Sequence, residues 1–116
     1  MASSICNEAF FDACKALLKK DGILVINLWG GTNNPQFQQI SLWLARVFNW
    51  QTLFLPVRDR GNIIGLACND YSPLYSIKEL RTHALALEQY YQIPFPTFLK
   101  DLKKHNSGTF NQVIKT

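Results

Sequence analysis

The sequence predicts an α/β fold built on a small sheet, and three observations carry that expectation. Residues 23–28, Ile-Leu-Val-Ile-Asn-Leu, are apolar at almost every position and rich in β-branched side chains. A strand with one wet face alternates apolar and polar residues. An unbroken run reads as a strand covered on both faces, as in sheets flanked by helices. Helix-period stripes lie on either side of this run. Two further strand-like runs, 51–57 and 62–68, are separated only by Arg58-Asp59-Arg60-Gly61. So short a connection makes them an antiparallel hairpin. The predicted order is helix, strand, helix, strand, strand, helix, helix: three strands and about four helices.

Each element has local reasons. Asn7 is a good N-cap, with Glu8 beside the positive end of the first helix. Phe10, Phe11, Cys14, Leu17 and Leu18 then form its apolar stripe, and Asp21-Gly22 is expected to end it, with Gly22 left-handed. Gly30-Gly31-Thr32-Asn33-Asn34 reads as a loop, with Asn34 capping a second helix that has Pro35 at its first position. Phe37, Ile40, Leu44 and Val47 share one face of that helix, which is expected to stop near Asn49. After the hairpin and a loop at 69–73, Ser76 and Glu79 form a capping box. Leu80, Ala84, Leu87 and Tyr91 line the helix that follows, and Pro94 and Pro96 break it. A short helix runs to His105 with Phe98, Leu99 and Leu102 inward. Residues 1–105 read as one unit, and 106–116, without periodicity, as a mobile tail.

Composition excludes several classes. No apolar run approaches the roughly 20 residues of a membrane span. The first residues lack the basic and apolar regions of a signal peptide. Three cysteines, Cys6, Cys14 and Cys68, with no CxxC spacing, argue against zinc and against a disulfide framework. Reduced thiols and a cytoplasmic setting are the expectation. The net charge is +4. Lys100, Lys103, Lys104 and His105 concentrate positive charge near the C-terminus, as a solvated helix face or a contact for an acidic surface. No aromatics are interleaved with them and no nucleic-acid motif is present, so nucleic acid is not the expected partner.

The chain resembles a known family. Its element order is similar to the C-terminal half of the Rossmann-like methyltransferase fold, in which the last strand is inserted antiparallel next to the preceding ones. The stretch from Asn7-Glu8-Ala9-Phe10-Phe11 to Lys19-Lys20-Asp21-Gly22-Ile23-Leu24-Val25 resembles the polyamine aminopropyltransferases, the spermidine synthase family. Asn27-Leu28-Trp29-Gly30, Leu55-Pro56, Arg60-Gly61-Asn62-Ile63-Ile64 and Ile93-Pro94-Phe95-Pro96-Thr97-Phe98 look like a bacterial spermidine-synthase-like branch of it. The resemblance implies a partial Rossmann-like methyltransferase fold with a three-stranded mixed sheet. Its order would be first, third, second strand, with the first and second strands parallel.

By that resemblance the family takes its aminopropyl group from decarboxylated S-adenosylmethionine, held on a glycine-rich loop. No GxGxG occurs in these 116 residues. Gly30-Gly31 follows the wrong strand to serve as one. Neither cofactor-binding nor catalytic residues are therefore assigned. Asp12, Asp21, Asp59 and Asp70 sit at ordinary helix and turn positions, and His83 and His105 have no partner at a catalytic spacing. Two substrate-cleft candidates carry over. Asn27 ends the first strand where the family often has Gln, at the end where open α/β sheets bind ligands; it also suits a residue that merely satisfies loop backbone. Arg58 takes the position of a Tyr that lines the polyamine groove, and it also suits a solvated turn. An arginine there repels a cationic amine.

Three functions remain open on the sequence: a spermidine-synthase-like fragment inactive alone, an enzyme half completed by a separate cofactor-binding chain, and a non-enzymatic interaction module. The strand from 23 to 28 lacks the neighbour that the family's fold gives it. Homo-oligomerisation through its edge, or pairing with a chain carrying the missing half, is expected.

Overall fold

The computed structural model describes residues 7–29, 35–58, 61–69 and 75–115. Cys6, the expected loop at 30–34 with its Asn34 cap, Asp59, Arg60 and the loop residues 70–74 lie outside them. Three strands, β1 (Ile23–Trp29), β2 (Thr52–Pro56) and β3 (Asn62–Cys68), form a sheet in the order β1-β3-β2. β3 pairs antiparallel with both neighbours, Val25 opposite Leu66 and Leu53 opposite Leu66. β1 and β2 consequently run parallel but never touch, and every pairing within this sheet is antiparallel. The order and strand directions agree with expectation. Among the described residues five helices accompany the strands: α1 (Glu8–Leu17), α2 (Pro35–Val47), α3 (Ile77–Tyr91), α4 (Phe95–His105) and α5 (Phe110–Val113).

One face of the sheet carries the larger core. Leu24, Ile26 and Leu28 of β1 point to α1 and α2, where Phe11, Ile40, Leu44, Val47 and Phe48 are buried. Asn7 caps α1 as expected, its Oδ1 accepting from the Phe10 N–H at 2.9 Å. The helix stops at Leu17, a turn before Asp21, and Leu17 is 87% exposed rather than inward. Gly22 is not left-handed. A Cβ there would stand 3.1 Å from the Lys19 carbonyl and 3.2 Å from Leu18 Cβ, so close approach, not φ, favours glycine. α2 ends where Asn49 and Trp50 turn left-handed, at φ 55° and 64°. Lys15 links the two helices. Its Nζ donates to the Val47 carbonyl at 2.9 Å and lies 5.6 Å from the Phe48 ring centroid.

The other face is only partly covered. Leu53 and Cys68 pack with Phe110, Val113 and Ile114, and with Ile77, Leu80 and Leu102 of α3 and α4. This cover stops short of β1, where Ile23 and Val25 are 42% and 61% exposed. The expectation that the first strand is buried on both faces is therefore corrected. Its second face is open among the described residues, and no described strand pairs with its outer edge. α3 starts on Ser76, whose Oγ accepts from the Glu79 N–H at 3.1 Å. Only Ala84 of its expected inner face is buried; Leu87 and Tyr91 remain 42% and 58% exposed.

Residues after His105, which show no periodicity, form α5 and a two-residue strand, β5 (Ile114–Lys115), parallel to β4 (Tyr75–Ser76). Phe110, Val113 and Ile114 are buried there.

β3 has almost no spare room at its centre. Gly65 sits opposite both Ile26 and Phe54. A Cβ on it would meet Ile26 Cγ2 at 3.0 Å and Phe54 Cε1 at 3.3 Å. Gly65→Val adds branched volume where neither neighbour has space, and is expected to cost about 1–3 kcal/mol. Urea denaturation of the two proteins checks this, and an unchanged midpoint would contradict the packing described.

Candidate functional site

β1 and β2 run parallel, so their carboxyl ends lie at one end of the sheet, with the start of β3 between them. This is the end at which open α/β sheets place ligands. Both residues singled out from the sequence are here. Asn27 is exposed, and its Oδ1 accepts from Asn62 Nδ2 at 2.9 Å. Asn62 also accepts, through its carbonyl, the Val57 N–H at 2.9 Å, and so spans from β1 to the residue preceding Arg58.

Arg58 is held by a residue that sequence reasoning missed. Its Nε donates to Asp101 Oδ2 at 2.9 Å and its Nη2 to Oδ1 at 2.8 Å. This two-pronged arrangement is the strong form of an arginine–carboxylate contact. Asp101 lies on α4 and is 7% exposed, while most of the Arg58 side chain faces solvent. Pro56, Val57, Lys104 and His105 complete a shallow cavity of about 440 Å³ around the pair. The hydrogen bonds from Arg58 hold the Asp101 carboxyl below its usual range. Burial opposes them, and the charges of Arg58, His105 and Lys104 add to the lowering.

Asn106, at the end of α4, fixes that helix against the sheet. Its Oδ1 accepts from the Phe54 N–H at 2.7 Å, and its Nδ2 donates to the Phe54 and Leu102 carbonyls at 2.8 and 2.7 Å. Asn106 is buried, and its contact places Asp101 one turn back beside β2.

The arrangement has limited chemistry. A general base for an amine needs a pKa near the working pH. Asp101 is too acidic for that and already accepts two hydrogen bonds. Among the described residues no cluster of His, Cys, Asp or Glu forms a metal site. Burial pushes the Cys68 thiol up, which leaves it a poor nucleophile. No described helix is long and apolar enough to cross a membrane. What the end of the sheet offers is a rigid polar wall with paired charge.

This α/β sheet end can be set beside known proteins. Over 98% of its length the chain is 28% identical to a polyamine aminopropyltransferase of Chromobacterium violaceum, covering 43% of that protein. Over 89% of its length it is 31% identical to polyamine aminopropyltransferases of two Neisseria meningitidis strains, serogroups A and B, covering 38% of each. The resemblance to the spermidine synthase family is borne out, over a span consistent with its C-terminal half. The chain spans about two-fifths of the length of these curated relatives. No protein-family model matches it, and no solved structure gives a significant match.

The Asp101 contact sets a pH dependence. A carboxyl whose folded pKa is lowered contributes stability above its unfolded pKa, near 4, and loses it as pH falls through the folded value. Arg58→Ala removes the main cause. The variant is expected to lose on the order of 1 kcal/mol or less at neutral pH, because Arg58 is largely solvated. Its urea midpoint should also fall less steeply than the parent's below about pH 4. Identical slopes would show that the pair contributes nothing.

Proposed function

We propose that these 116 residues form one part of an aminopropyltransferase-related fold, supply a wall of its cleft, and do not catalyse aminopropyl transfer by themselves. The observation that carries this reading is the extent of the similarity. Nearly the whole chain matches, yet it accounts for about two-fifths of proteins named for that activity. Two features of the structure support it. Among the described residues β1 has an open edge and an open face, with Ile23 and Val25 exposed on it. Among the described residues, the carboxylate at the candidate cleft, Asp101, is bound to Arg58 rather than poised to accept a proton. Arg58 and its neighbour Lys104 also make this wall unfavourable for a polycation. Cys14 and Cys68 are free thiols, which fits a cytoplasmic setting.

A second reading concerns the partner. Ile23 and Val25, exposed on a strand without Lys or Pro, favour strand addition at the β1 edge. A second copy would give a symmetric dimer, and the chain would then be an interaction module. A chain carrying the cofactor-binding half would instead complete an enzyme. Aminopropyl transfer that appears only on mixing with such a chain favours the latter.

The reading of inactivity is tested by titration calorimetry with decarboxylated S-adenosylmethionine. The glycine loop that presents backbone amides to such a ligand is not among these residues. No measurable heat is expected from the isolated chain. Micromolar affinity would overturn the proposal.

A further inference from the structure

The basic tract of α4 is not used by the sheet end alone. Lys104 lies beside Asp101, but Lys100 and Lys103 line a groove between α3 and α4. The groove encloses about 250 Å³, and its apolar walls are Ile77, Leu85, Pro96 and Leu99. Leu85 is 55% exposed, and the other three are half-buried. Arg81 of α3 adds a third cation. Arg81, Lys100 and Lys103 are all exposed, and among the described residues none of them has an ion-pair or hydrogen-bonding side-chain partner.

Size and charge together select an occupant. Cavities that enclose small ligands run to about 300–1,000 Å³. A smaller open groove accommodates two or three apolar side chains. Lys100 and Lys103 are neighbours on one helix face, about 5–6 Å apart at Cβ. That spacing matches carboxylates one turn apart on a facing helix. From this complementarity we infer that the α3–α4 groove docks an acidic amphipathic helix of a partner protein, with apolar anchors against Leu85 and Leu99 and flanking carboxylates on Arg81, Lys100 and Lys103. The surface is separate from the β1 edge and does not depend on the proposed function.

The test uses the full chain and a short synthetic helix with leucines on one face and glutamates flanking them. Two control peptides carry lysine for every glutamate, or serine for every leucine. Fluorescence anisotropy should show saturable binding of the first peptide and none of the controls. In amide NMR spectra the shifts should concentrate on 77–85 and 96–103. Arg81→Glu combined with Lys103→Glu should weaken binding about tenfold or more. Both side chains are exposed, so an unchanged circular dichroism spectrum is expected and separates lost binding from lost fold. Equal binding of the serine control would overturn the proposal, because charge alone would then suffice. So would shifts mapping elsewhere. Failure of the acidic helix, with phosphatidylserine vesicles or duplex DNA binding through Arg81 and Lys103 instead, would also overturn it.

Discussion

The side-chain amide of Asn106 donates to the Phe54 carbonyl and accepts from the Phe54 N–H, and so stands in for a neighbouring strand on the outer edge of β2. Both contacts are partly buried, and Asn106 itself is buried, where an unmade hydrogen bond costs about 1–3 kcal/mol. The same residue bonds back to Leu102, which fixes the end of α4 relative to the sheet. Phe110 N–H donates to the Asn106 carbonyl at 2.7 Å, so α5 is also set from this point. One asparagine thus closes the β2 edge, seats α4 and begins the segment that covers Leu53 and Cys68. Nothing comparable among the described residues closes β1. The sheet is finished on one side and open on the other.

That asymmetry bears on chemistry at the sheet end. Because Asn106 seats α4, Asp101 reaches Arg58 across the cavity beside Pro56 and Val57. Arg58, largely solvated, gives this mostly buried carboxylate its charge partner. The pairing lowers the pKa of the carboxyl beside Arg58, which makes it a weaker proton acceptor. The polar link from Asn27 through Asn62 to the backbone of Val57 keeps the two candidate positions on a common rigid rim.

Much of this was legible in the sequence because it depends on neighbours close along the chain. Asn7 and Ser76 cap their helices through residues three positions on, and the hairpin follows from a short turn between two apolar runs. Strand order needed the family resemblance, since periodicity carries no information about which strand lies in the middle. Asp101 and Asn106 were missed because their partners, Arg58 and Phe54, are distant in sequence. An aspartate within an apolar-faced helix has no local mark of burial. The segment after His105 shows no periodicity, and Phe110, Val113 and Ile114 are buried there through contacts with Leu53 and Cys68, which are distant in sequence. The apolar run of β1 suits burial on both faces, and the stripe of α3 suits an inward face through Tyr91. These two expectations exceed what the described residues provide for. A hydrophobic pattern records the surroundings a segment is suited to, and the described residues supply those surroundings on one side only.

β1 is therefore the element on which the account rests: a strand with a central strand's composition, hydrogen-bonded on one edge and covered on one face. Residue-resolved hydrogen exchange across Ile23–Trp29, on the chain diluted to where sedimentation gives its 13.3 kDa mass, tests this most directly. Amides directed at β3 should be protected, and the alternate amides directed away from it should exchange at rates near those of an open chain. Uniform protection of the whole strand in the monomer would contradict the account, because the edge would then already be closed from within the chain.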